Sequence, residues 1–71
     1  MTGWQKRVLQ EQAELRDKII ALYSFIRSPE FEALHPDDRV LLQAQREAMI
    51  TYFDILTDRI ARFELRGDAN P

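Results

Sequence analysis

"FIRSPEFEALHPDDRVLL", residues 25–42, sets two X-Pro steps, Ser28-Pro29 and His35-Pro36, into a chain whose flanks both carry helical periodicity. Serine, proline and an acid in that order make a helix start. The hydroxyl accepts from free backbone N–H groups, the proline presets φ at the first helical position, and Glu30 meets the positive end of the helix dipole. His35-Pro36-Asp37-Asp38 repeats the device. Each proline also drives the residue before it out of the α region, so any helix upstream must already have ended. The stretch therefore predicts a corner, with one helix closing near Arg27, a short turn of helix over 29–34, and a second helix opening at 36. Phe31 and Leu34, three apart, fall on one side of that turn, where they can plug the open end of a core.

Upstream of the corner, Trp4, Val8, Leu15, Ile19, Leu22 and Ile26 recur at spacings of three, four and seven, with Glu11 and Gln12 in the empty slot. That is a heptad seam on one helix face, and nothing between Gly3 and Arg27 breaks it. The reading is a helix over about 3–27, roughly 36 Å long at 1.5 Å per residue. Downstream, Leu42, Gln45, Met49, Tyr52, Leu56, Arg59 or Ile60, and Phe63 continue by threes and fours. They predict a helix over about 36–66, stopped by Gly67 as a C′ residue, with a frayed tail over 67–71. The expected fold is all-α: a single antiparallel helical hairpin spanning 1–71 with a short helical turn at its corner. Pairing residues whose numbers sum to about 67 sets Trp4 beside Phe63, Leu15 beside Tyr52 and Ile26 beside Leu41.

Seventy-one residues with 45% hydrophobic composition give a two-helix unit more apolar surface than it can cover, since a chain this short buries only about 60% of its unfolded surface. Leu9, Ala13, Ile20 and Tyr23 on the first helix, and Ile50, Phe53 and Ile55 on the second, lie off the seams. A patch of that kind is rarely left exposed on a monomer, so the chain is expected to pair with copies of itself into a helical bundle. Leu9, Ile20, Tyr23, Ile50, Phe53 and Ile55 are the expected oligomer interface.

Several function classes fall away. There is no cysteine, hence no disulfide framework and no thiolate metal site, and a cytosolic address follows by default. A net charge of −2 and a longest basic run of Lys6-Arg7 argue against DNA binding. The most apolar run, 19–26, is far below the roughly 20 residues needed to cross a bilayer, and the N-terminus lacks signal-peptide features. With two glycines in all, no phosphate-cradling loop can form. The single histidine, His35, sits at a helix start with no nucleophile beside it and reads as a cap. The acids Asp37, Asp38, Asp54, Asp58 and Glu47 have no histidine or facing carboxylate and read as solvated. Neither a catalytic residue, a metal site nor a cofactor is expected, and an enzyme is the weakest class.

The second helix does carry Arg39, Arg46, Tyr52, Phe53 and Arg59. Guanidinium groups beside aromatic rings suit phosphate contact with base stacking, and Arg46, Tyr52 and Arg59 are the candidate ligand-binding residues. The plainer reading keeps the rings in the seam and lays the arginine stems over them.

The span from Trp4 to Phe63 resembles a family of small tailed-phage and prophage helical-hairpin proteins, with relatives in crAss-like phages. The resemblance rests on Arg7-Val8, Glu14-Leu15, Lys18-Ile19, Phe25-Ile26, the Phe31 and Leu34 plug, Leu41-Leu42, Gln45, Met49, Tyr52, Leu56 and Arg59-Ile60. Phe53 follows the central tyrosine where that family carries a small residue. The resemblance implies a phage accessory protein working in the cytoplasm of an infected bacterium. Such a protein would counter host defence by stoichiometric capture of a host defence protein or a nucleotide second messenger. The alternative it leaves open is a structural or assembly component of the phage particle.

Overall fold

The computed structural model describes residues 2–66, and within them every regular element is helical: α1 (Gly3–Ile26), α2 (Pro29–Glu32) and α3 (Pro36–Arg66). The tail expected over 67–71, and the Gly67 stop with it, lies outside the described residues. Local chemistry accounts for the helix ends. At the start of α1 the Thr2 N–H donates to Gln5 Oε1 at 3.1 Å, one half of a capping box, which holds the Gln5 side chain inward so that it is buried. At the corner Ser28 Oγ donates to the Phe25 carbonyl, closing α1, and accepts from the Phe31 N–H at 3.4 Å, opening α2. His35 Nδ1 accepts from the Asp37 N–H at 3.0 Å, so the lone histidine caps α3.

α1 and α3 lie side by side in opposite directions. Trp4 meets Phe63 edge-on at 5.2 Å, Gln12 Nε2 donates to Thr57 Oγ1 at 2.9 Å, and Arg46 lies over Tyr23. The molecule is a rod of 49 × 15 × 14 Å, two helices thick, so no side chain has more than one layer between it and water. The dry core is correspondingly small: Val8 and Leu15 from α1 with Leu56, Ile60 and Phe63 from α3. Among the described residues Leu56 alone is fully buried. Trp4, Leu9, Ile19, Met49 and Phe53 lean against this cluster half-buried. At the corner Phe31 is buried with its ring edge-on to Phe25 at 6.4 Å, while Leu34 is half-buried.

The seam of α3 differs from the expected one at two positions. Phe53, not Tyr52, packs on the core, and Tyr52 is exposed. Half-buried Arg46, not exposed Gln45, fills the slot between Leu42 and Met49. Both changes move by one residue, about 100° around the helix, and both favour packing. Phe53 brings no hydroxyl to satisfy, and the Arg46 stem is longer and more apolar than a glutamine amide. Leu41, expected beside Ile26, is 66% exposed, and Leu42, one residue later, is turned inward. Gln12, in the polar slot of the α1 seam, is satisfied within the chain by Thr57.

Candidate functional site

The packed seam of α1 runs through Gln5, Val8, Gln12, Leu15, Ile19, Leu22 and Ile26. The residues one position later, Leu9, Ala13, Arg16, Ile20, Tyr23 and Arg27, form a second stripe about 100° away. Across from that stripe, α3 presents the residues that follow its own seam, among them Ile50. The two flanks enclose an apolar groove of about 150 Å³ lined by Arg16, Ile19, Ile20, Ile50 and Phe53.

Where this groove runs toward the corner, it meets a charged cluster. The Arg46 guanidinium lies 4.9 Å from the centre of the Tyr23 ring, and that of Arg27 lies 5.4 Å from it. Tyr23 as a whole is 43% exposed. Two like charges share one aromatic ring, and each cation–π contact contributes about 0.5–1 kcal/mol at an exposed site. Arg46 Nη1 has Glu47 Oε1 at 3.6 Å, a weak exposed-carboxylate contact, whereas Arg46 Nε is buried with no hydrogen-bond partner. Arg27 forms no ion pair among the described residues. A pair of converging cations is an arrangement that an anionic oxygen relieves. The exposed tyrosine face beside them can stack on a planar ring.

Of the three ligand-binding candidates read from the sequence, Arg46 joins this cluster. Tyr52 and Arg59 do not. They lie about one residue before the α3 seam, on the side of the molecule away from the groove, and both are exposed. Among the six interface candidates, Leu9, Ile50 and Phe53 are half-buried and Ile20 and Tyr23 exposed along the groove side, and Ile55, also exposed, belongs with Tyr52 on the opposite side. Sequence reading did not place Tyr23 and Arg27 in this cluster with Arg46. Their i,i+4 spacing is legible in the sequence, but the arrival of Arg46 over the same ring depends on how α3 is rotated against α1.

Among the described residues, no group of three or more His, Asp or Glu side chains could hold a metal ion, and no helix is long and apolar enough to cross a membrane.

Comparison with known proteins adds a lineage. The chain is 36% identical over 64 residues to an uncharacterized 7.5 kDa protein from the denB–rIIB intergenic region of Enterobacteria phage T4, covering 90% of this chain and 100% of that protein. No solved structure matches. The model of the Sequestin family matches residues 2–62, from the α1 cap to the turn before the last of α3, and the chain belongs to that family.

Proposed function

We propose that the protein is a phage accessory factor that acts by stoichiometric capture, sequestering a nucleotide signal of the host's defence in the cytoplasm of the infected cell. The observation that carries the reading is the Tyr23 ring held between the guanidinium groups of Arg27 and Arg46, with Arg46 Nε left without a partner. A nucleotide brings the two things this cluster lacks, phosphate oxygens for the arginines and a flat base for the ring. The family's name, Sequestin, supports binding over turnover, and the small T4 relative supports a phage origin.

The capturing unit in this reading is a helical hairpin assembled with other copies into a bundle, with Leu9, Ile20, Tyr23, Ile50 and Phe53 turned toward a neighbouring chain. That neighbour closes the groove and lowers the dielectric around the arginines, which strengthens their hold on an anion.

Isothermal titration with a panel of cyclic mono- and dinucleotides tests the proposal. A saturable heat is expected with at least one of them, weakened at least about tenfold, or about 1.4 kcal/mol, in Arg46→Ala. If no nucleotide gives heat or a thermal shift, the ligand is not a nucleotide, and capture of a host protein or a role in the particle takes its place. Mass spectrometry of purified virions separates those two.

A further inference from the structure

α3 carries two heptad seams, and only one of them is used within the chain. The packed seam is Leu42, Arg46, Met49, Phe53, Leu56, Ile60 and Phe63. One residue earlier at each step run Leu41, Gln45, Ala48, Tyr52, Ile55, Arg59 and Arg62, and one more step back along the same alternation reaches Asp38. All eight are exposed, with Leu41 at 66%, Ile55 at 52% and Tyr52 at 42%. Leu41, Ala48, Tyr52 and Ile55 give the stripe exposed apolar and aromatic surface at its centre, and Asp38, Arg59 and Arg62 put charges toward its ends, over about 36 Å of helix. On antiparallel helices a step forward on α1 and a step backward on α3 point to opposite sides. This seam therefore faces away from the Ile20–Ile50 groove and is a separate surface.

We infer that this outer seam of α3 binds the same seam of a second copy, antiparallel, about a two-fold axis beside residue 50. In that register residue i of one copy meets residue 100 − i of the other, and the order of residues along the seam is self-complementary. Tyr52 lies against Ala48, a large side chain over a small one. Gln45 lies against Ile55, and Arg59 lays its stem along Leu41. At each end Asp38 meets Arg62. Neither of these two forms an ion pair within its own chain among the described residues, so both charges are available. Sliding the register by one heptad in either direction destroys the match: Asp38 then faces Ile55 or runs past the end of α3, and Arg62 faces Phe31 or Gln45. A two-fold contact requires this reciprocity between the two halves of one surface. Of the six interface residues expected from the sequence only Ile55 belongs to this seam. With the groove side also paired, the assembly exceeds two copies. The contact does not rest on nucleotide capture.

The absence of native cysteine makes the test direct. Ala48→Cys and Tyr52→Cys chains are prepared separately and both retain the core, since the two positions are exposed. Refolded together and oxidised, they are expected to yield the mixed 48–52 disulfide dimer. Either chain alone is expected to yield little, because equal positions are then about 6 Å out of step along the axis. A charge pair provides the second arm: Arg62→Asp is expected to raise the dimer Kd at least about tenfold, and Asp38→Arg with Arg62→Asp to restore it. No mixed disulfide, equal cross-linking of each chain alone, or an Arg62→Asp effect that the double exchange fails to reverse would each overturn the proposal.

Discussion

The two ends of the rod are built on the same helix pair and differ in how tightly they close. At the end remote from the corner, Val8, Leu15, Leu56, Ile60 and Phe63 shut out water, with Trp4 lying across Phe63. Toward the corner, Leu22, Ile26 and Leu42 are only half-buried, and Ile20, Tyr23, Phe25, Val40 and Leu41 are exposed. The difference traces to one seam position. Arg46 stands where an apolar residue would complete the packing, and its guanidinium leaves the seam for the Tyr23 ring. A charged head in that place keeps the corner half from drying out and turns it into a surface with cations and apolar area side by side. One end supplies stability; the other carries the proposed binding face.

The sharpest way to break this contrast is truncation at matched depths along α3. Leu56→Ala removes a fully buried side chain and is expected to cost about 2–5 kcal/mol. At roughly 4–8 °C per kcal/mol for a domain of this size, the thermal midpoint followed by circular dichroism falls by about 10 °C or more. Val40→Ala at the corner, where the side chain is 67% exposed, is expected to stay within about 0.5 kcal/mol. Equal losses at the two sites would show that the halves are not packed differently.

Smaller effects sharpen it. Ser28→Ala removes the hydroxyl that closes α1 and opens α2 and is expected to cost about 1 kcal/mol, read as a lower thermal midpoint. Loss of the Gln12–Thr57 bond in Thr57→Val, an exposed contact, is expected to cost about 0.5–1 kcal/mol, measured by urea denaturation with the slope unchanged. Amide exchange gives the contrast without substitution: protection is expected to be highest in Val8–Leu15 and Leu56–Phe63 and lower around Tyr23 and Leu41. Uniform protection would count against it.

The all-helical character could be read from the sequence because its determinants are local. Ser28, Pro29 and Pro36 act on their own backbone, and the three–four spacing needs no knowledge of a partner. The rotation of α3 could not be read in the same way. Between Leu42 and Met49 either Gln45 or Arg46 completes a three–four step, and between Met49 and Leu56 either Tyr52 or Phe53 does. Periodicity permits both choices, and side-chain packing against α1 decides between them. Choosing the earlier residue at both steps places Tyr52 in the core and separates Arg46 from Tyr23. The candidate site was legible only in part for that reason. Arg46 carries a recognisable chemistry, while its neighbours are set by contact across the helix pair.

The central claim is that the Tyr23, Arg27 and Arg46 cluster holds an anionic nucleotide without transforming it. Equilibrium dialysis against the nucleotide panel, followed by heat release and mass spectrometry of whatever is retained, tests it most directly. The account predicts one nucleotide recovered chemically intact at a fixed ratio to chains, and retention lost in the double variant Arg27→Ala and Arg46→Ala with helicity unchanged. Retention undiminished in that variant, or recovery of a cleaved nucleotide, would contradict it.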